Sequence, residues 1–175
     1  MRIANVVTDS IVDGPGLRLT VFVQGCPHRC PGCHNPETHD PAGGTERPVE
    51  VLQALLTANP LVEGLTLSGG EPFQQAEACG ALAAFAHQQG LNVWTYTGYR
   101  YEELAAAGRP DWDALLRETD VLVDGPFLEI LKSYGALFRG STNQRLIDMK
   151  ATRAAGQAVL WTRPDPLAHF QRPES

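Results

Sequence analysis

The sequence has no run of apolar residues long enough to cross a bilayer, and Met1 to Ser10 shows neither the basic start nor the hydrophobic centre of a secretory leader. It also lacks an excess of basic charge. Lysine and arginine number 14 against 20 aspartates and glutamates, and a formal net charge of −6 offers no broad footprint for a phosphate backbone. Neither a membrane nor a nucleic acid is therefore the expected partner, and the expected location is the cytoplasm. Cysteine is scarce as well, at four residues, and three of them crowd between Cys26 and Cys33. Without a leader a reducing compartment is expected, so disulfides give way to metal or redox chemistry as the use for these thiols.

What is present is the composition of a globular protein. A chain of 175 residues with 43% hydrophobic and 19% charged content is long enough to bury a core without disulfides, and short enough for one domain, 1–175. β-Rich apolar runs at Leu17 to Val23, Leu65 to Leu67, Leu91 to Tyr96 and Val121 to Val123 read as buried strands. Between them, Pro48 to Ala58 and Gln74 to Gln89, the latter closed by Gly90, read as helices. Tyr101 to Ala107, ended by Gly108, and Asp111 to Glu118 read as two shorter ones. Alternation of strand and helix predicts an α/β fold with a mostly parallel sheet, its functional loops at the carboxyl ends of the strands. The units are too few for a closed eight-stranded barrel, so an open or partial (β/α) barrel is expected. Asp40 to Pro48 reads as a surface loop and 164–175 as a flexible tail.

Directly after the first expected strand comes Gly25-Cys26-Pro27-His28-Arg29-Cys30-Pro31-Gly32-Cys33. Its thiols are separated by three and then two residues, on a loop whose prolines restrict the backbone and whose glycines permit tight turns. Such a loop suits thiolates wrapped around an inorganic cluster. Zinc is the rival, with His28, His34 or His39 as a fourth ligand, but the second ligand pair usual in structural zinc sites is missing. Three thiolates on a four-iron cubane leave one iron open to substrate, whereas an electron-carrying ferredoxin ordinarily presents four cysteines. The remaining cysteine, Cys79, shares a helical stripe with Leu82 and Ala86 and is expected in the core. His34 and Asn35, just past the third cysteine, are candidates to line a ligand site. His87 and His169 are expected to face solvent.

A second candidate follows the second expected strand: Ser68-Gly69-Gly70-Glu71-Pro72. Glycines at a strand end let backbone approach a ligand, and an acid beside them can favour a bound ammonium. No common phosphate-binding pattern is present.

Together the two motifs resemble the radical S-adenosylmethionine superfamily. The resemblance implies one 4Fe-4S cluster on Cys26, Cys30 and Cys33, with the amino and carboxylate groups of S-adenosylmethionine on the open iron. It implies that Gly69, Gly70 and Glu71 orient the methionine end, and that an electron from the cluster releases a 5′-deoxyadenosyl radical. Asp13-Gly14-Pro15-Gly16-Leu17-Arg18 looks like the stretch preceding the cysteine loop in glycyl-radical-activating enzymes. Cys30 to Asn35, Trp94 to Tyr99, Asp124 to Phe127 and Gly140 to Arg145 are similar to the branch that activates anaerobic ribonucleotide reductase. By that resemblance the partner is the reductase large subunit, the glycyl-radical protein, and the electron donor is a separate flavodoxin or ferredoxin. Gly32, His34 and Asp124 would help hold the nucleoside or the rest of the ligand. Gly32 and His34 stand where many superfamily members carry aromatic residues, and Pro126 where related activases can have a basic one. Two other readings stay open at this point: a radical enzyme acting on a small molecule, of the deazapurine type, and a non-catalytic cluster or zinc module.

Overall fold

The computed structural model describes residues 1–162. Its strands are β1 (Arg2–Ser10), β2 (Arg18–Val23), β3 (Thr45–Glu46), β4 (Gly64–Gly69), β5 (Asn92–Tyr96), β6 (Val121–Asp124) and β7 (Arg145–Asp148). They form one sheet in the order β3-β1-β2-β4-β5-β6-β7. The four runs expected from sequence are its centre, β2, β4, β5 and β6, and they pair in parallel. The flanks were not expected. β1 pairs antiparallel with both β2 and β3, and β7 antiparallel with β6, so the molecule is a mixed α/β sheet that does not close.

Each missed strand has a physical reason. β1 carries two register shifts against β2, between Ile3 and Asn5 and between Val7 and Ser10, which break the two-residue alternation that marks a strand in sequence. The segment expected as a loop, Asp40 to Pro48, contains β3, whose two residues pair with Arg2 and Ile3. β7 is four residues long with a charge at each end, too short for its pattern to stand out.

The helices are α1 (Val49–Ala58), α2 (Ala76–Gln88), α3 (Tyr101–Ala106), α4 (Pro110–Arg117) and α5 (Met149–Ala155). α2 starts later than expected because Pro72–Gln75 forms a tighter 3₁₀ turn ahead of it. Gly90 and Gly108 follow α2 and α3 in the left-handed region, at φ 75° and 62°. α5, not anticipated, is capped by the Asp148 carboxylate, which accepts from the Ala151 amide at 2.8 Å. The expected tail and His169 lie outside the described residues.

The two faces of the sheet are covered differently. Leu19, Val21 and Val23 of β2, Leu65 and Leu67 of β4, Val93 of β5 and Leu122 of β6 point to one face, where all five helices contribute buried side chains. Cys79 is there with Leu82 and Ala86, all fully buried as expected, and burial pushes its thiol up to about 12. On the other face Trp94, Val121, Val123 and Leu146 form a smaller cluster, backed by Tyr96, Phe138 and Trp161. Among the described residues that second face has loops over it, with one short 3₁₀ turn at Glu129–Leu131, instead of α-helices, and the candidate site lies there. Among the described residues no helix is long and apolar enough to cross a membrane.

His87 faces solvent as expected, and there it bridges two acids. Its Nδ1 lies 2.9 Å from Glu118 Oε2 and its Nε2 3.0 Å from Asp120 Oδ2. Burial disfavours the charged ring, but the bonds to Asp120 and Glu118 outweigh it and hold the His87 pKa above the ordinary 6.5. Because the folded value is the raised one, this stabilisation is full below the unfolded value and is lost as pH rises through the folded one. The stability difference between wild type and His87→Gln, followed by urea denaturation, should therefore be largest in acid and shrink as pH rises above the ordinary 6.5.

Candidate active site

The carboxyl ends of the four parallel strands meet on one edge. The cysteine loop leaves β2, the Gly69 to Pro72 turn leaves β4, Thr97 and Gly98 follow β5, and Gly125 follows β6. Over this edge lies a cavity of about 820 Å³, whose walls include Cys26, Cys30 and Cys33 together with Gly69 and Gly70. His34 and Asn35 also line it, as do Thr97, Gly98, Gly125 and Phe127. Its far wall is the segment between β6 and β7, from Lys132 to Gly140. Gln144 holds that segment in place: its Oε1 accepts from the Gly140 and Ser141 amides, and its Nε2 donates to the Gly125 carbonyl.

The cysteines are partly buried and none is in a disulfide. The Cys33 sulfur accepts from the Asn35 amide at 3.4 Å, a local bond that folds the loop back on itself. Burial pushes the Cys26 thiol up, opposed by the His28 and Arg29 amides and aided by the charge of Glu71; burial also raises Cys33. At Cys26 and Cys33 the chain alone thus does not stabilise the thiolate, and iron would supply the missing positive charge. Among the described residues no three His, Cys, Asp or Glu side chains gather as the ligand set of a single metal ion. A cubane asks for a different arrangement, one thiolate to each of three irons, and three cysteines spread around one cavity wall fit that demand. Gly32 has φ 68°, and a Cβ there would meet Glu129 at 2.6 Å, so glycine lets the tip of the loop turn against the segment after β6.

The glycine turn is built against the same loop. The Gly70 amide donates to the Val23 carbonyl at 2.8 Å and the Glu71 amide to the Gly25 carbonyl at 2.9 Å. A Cβ on Gly70 would stand 2.5 Å from that Gly25 oxygen. The Glu71 side chain does not reach the cavity. It is fully buried, and its carboxylate accepts from the Phe73 amide (3.0 Å), the Thr97 hydroxyl (3.0 Å), the Gly98 amide (2.9 Å) and His28 Nε2 (2.9 Å). Gly69 and Gly70 therefore face the cavity while the acid is committed behind them, unlike the sequence expectation of an acid facing a ligand ammonium.

Asp124 is placed similarly. It is buried and outside the cavity wall, accepting from the Tyr101 amide at 2.8 Å and from Arg145 at both oxygens. Arg145 bridges onward to Glu102, and these two acids hold its guanidinium above its ordinary range. Gly32, too, is outside the wall. The Asp13 to Arg18 stretch divides in two: Asp13 lines the cavity with Ser10, Ile11 and Val12, and Arg18 turns inward. Arg18 is fully buried and its donors reach Thr66, Asn92 and the carbonyls of Pro15 and Leu65 at 2.7 to 3.1 Å. Burial lowers its pKa to about 10, against the raising influence of Tyr96 and Asp13. Thr66 in turn donates to the Asp13 carbonyl at 2.8 Å, so the arginine anchors the loop that presents Asp13.

Sequence reasoning singled out neither Thr97 nor Gly98 as site residues, and took His28 only as a zinc candidate. The rule that ligands bind at the carboxyl ends of parallel strands, applied to β5 as it was to β2 and β4, would have found Thr97 and Gly98.

A half-covered α/β sheet emptying three cysteines and two glycines into one cavity is the frame of a cluster-binding domain. Residues 12–147 match the family described as a 4Fe-4S single cluster domain. The chain is 36% identical over 152 residues to the anaerobic ribonucleoside-triphosphate reductase-activating protein of Salmonella typhi, spanning 82% of this chain and 96% of that one. The protein of the same name from Escherichia coli K12 is 36% identical over 142 residues, 77% of this chain and 90% of its own. A pyruvate formate-lyase-activating enzyme from Clostridium pasteurianum is 35% identical over 127 residues, 70% of this chain and 50% of its own. The chain belongs to the family of anaerobic ribonucleoside-triphosphate reductase-activating proteins, glycyl-radical-activating enzymes that use a 4Fe-4S cluster and S-adenosylmethionine.

Gly98 offers a direct check on this geometry. A Cβ there would collide with the His28 ring, which rests against the end of β5. Gly98→Ala should lower the stability of the metal-free protein by about 1–3 kcal/mol, read as a lower urea midpoint at unchanged slope.

Proposed function

We propose that this chain installs a glycyl radical in an anaerobic ribonucleoside-triphosphate reductase. The observation that carries the reading is that Cys26, Cys30, Cys33, Gly69 and Gly70 share one cavity, of a size that suits a nucleoside-bearing ligand. In this proposal the whole chain is a single domain of the radical S-adenosylmethionine type, and its open sheet is the partial (β/α) barrel expected from sequence.

Cys26, Cys30 and Cys33 would hold three irons of the cluster, leaving the fourth for the methionine amino and carboxylate groups. When bound, the cluster would supply the one-electron reductive cleavage of S-adenosylmethionine on which hydrogen-atom abstraction from a glycine of the partner depends. The chain's own residues bind, orient and exclude water. Gly69 and Gly70 offer backbone to the methionine end without side chains in the way. Glu71 serves that turn from behind. His34, whose ring is 4.8 Å from that of Phe127, and the neighbouring Asn35 would border the nucleoside. Gly32 would act by shaping the cysteine loop, and Asp124 by fixing the strand end that carries Gly125.

The fourth cysteine, Cys79, is buried in α2, away from the cavity; in this proposal the electron would come from a separate cytoplasmic donor, flavodoxin or ferredoxin. The cavity wall formed by Ile11, Val12, Tyr134 and Leu137 is exposed, which leaves room for a polypeptide loop to enter.

Anaerobic reconstitution with iron and sulfide, reduction with dithionite and addition of S-adenosylmethionine should release 5′-deoxyadenosine. No release sinks the radical reading. Alanine at Cys26, Cys30 or Cys33 should abolish release, whereas Cys79→Ala should keep it while losing about 1 kcal/mol of stability to the small cavity it leaves. Mixed with the reductase of the same organism, the reconstituted protein should give the electron paramagnetic resonance doublet of a glycyl radical. An active mixture without that signal would redirect the chemistry to a small molecule.

A further inference from the structure

His28 lies between the first and second cysteines, yet it is tied to a different part of the molecule. Its Nε2 is 2.9 Å from Oε2 of Glu71, with the His28 side chain 18% exposed and the Glu71 side chain fully buried. Both Glu71 oxygens act as acceptors towards their other partners, the Phe73 and Gly98 amides and the Thr97 hydroxyl, and the ring nitrogen completes the set as a further donor. The ring stands edge-on to Tyr99 at 4.4 Å and 72°, in a space that exists because residue 98 has no side chain. The same Glu71 oxygen accepts from the Gly98 amide, and the other from Phe73, while Thr97 reaches both. The backbone bonds from Gly70 to Val23 and from Glu71 to Gly25 hold the entry of the cysteine loop. Past the first cysteine, His28 continues the attachment.

We propose that His28 is a positioning residue: by donating to the buried Glu71 carboxylate it locks the cysteine loop to the Gly69 to Pro72 turn and the end of β5. This rests on the activase reading above, in which the loop carries the cluster and the turn carries the methionine end of S-adenosylmethionine. Chelation joins those two groups at one iron, so both must be held to within about 0.5 Å of each other's frame. Partners one step behind the ligands commonly do this work, and losing one costs about 10- to 100-fold in affinity. A bond between a ring on one segment and a desolvated carboxylate on another resists sliding more than either loop would alone.

The test compares wild type with His28→Ala, His28→Gln and Glu71→Gln, each metal-free and after anaerobic reconstitution. In metal-free protein, hydrogen exchange at the Phe73 and Gly98 amides should quicken roughly tenfold in His28→Ala. It should return toward wild type in His28→Gln, whose amide can reach Glu71. Glu71→Gln should loosen the same amides, and adding His28→Ala to it should change little more. In reconstituted protein, the S-adenosylmethionine concentration that half-converts the spectrum of the reduced cluster should rise about 10- to 100-fold in His28→Ala and recover in His28→Gln. Iron lost from the alanine variant but retained by the glutamine variant would support the same role; iron lost from both would overturn it. Faster exchange without a weaker titration would leave His28 a structural tether only and overturn the proposal, as would a glutamine variant that behaves like alanine. A wild-type cluster unresponsive to S-adenosylmethionine sinks the activase reading instead, while the exchange measurements still decide whether His28 and Glu71 are coupled.

Discussion

A carboxylate removed from water must be met on all sides, and in this molecule the groups that meet Glu71 come from the ends of three strands. The loop after β2 sends His28, the turn after β4 sends the Phe73 amide, and the segment after β5 sends Thr97 and Gly98. Breaking one partner leaves a buried charge short of donors, so these segments hold their positions together or not at all. The cavity inherits its shape from that constraint. Its two glycines face outward because the acid beside them is occupied inward.

Behind this edge, the sheet divides its labour by face. The five α-helices of the described residues cover one side and bury the large aliphatic residues of every central strand. The other side keeps a small aromatic cluster and a loop held by Gln144, leaving space at the carboxyl ends where a closed helical layer would have filled it. Arg18 belongs to this second face and shows how polar groups are accommodated there. It is fully buried with no direct carboxylate partner among the described residues, and its donors are taken by Thr66, Asn92 and backbone carbonyls, which also fasten the loop that presents Asp13.

The parallel centre was legible because Leu65 to Leu67 and Val121 to Val123 are buried on both faces and read as unbroken apolar runs. β1 was not, because its bulges and half-exposed polar residues erase the alternation. The cysteine loop announced itself by spacing, a local property that survives without knowledge of the fold. The partners of Glu71 did not. Thr97 and Gly98 are far from it in the chain, and only the pairing of β4 with β5 brings them alongside. Spacing in sequence predicted which residues could meet a ligand, while the roles of Glu71, Asp124 and Arg18 depended on which side of a strand end they face.

The contact between Gly70 and the Gly25 carbonyl has a consequence for how such a chain can change over generations. One added carbon at Gly70 would press on that oxygen at 2.5 Å, and the oxygen already accepts from the Glu71 amide. Neither stretch can drift by itself. A substitution in the turn is tolerable only if the cysteine loop shifts to admit it, and such a shift moves the first thiol. Two motifs that look independent on the page of a sequence are thus inherited as one unit, a single heritable part written in two places.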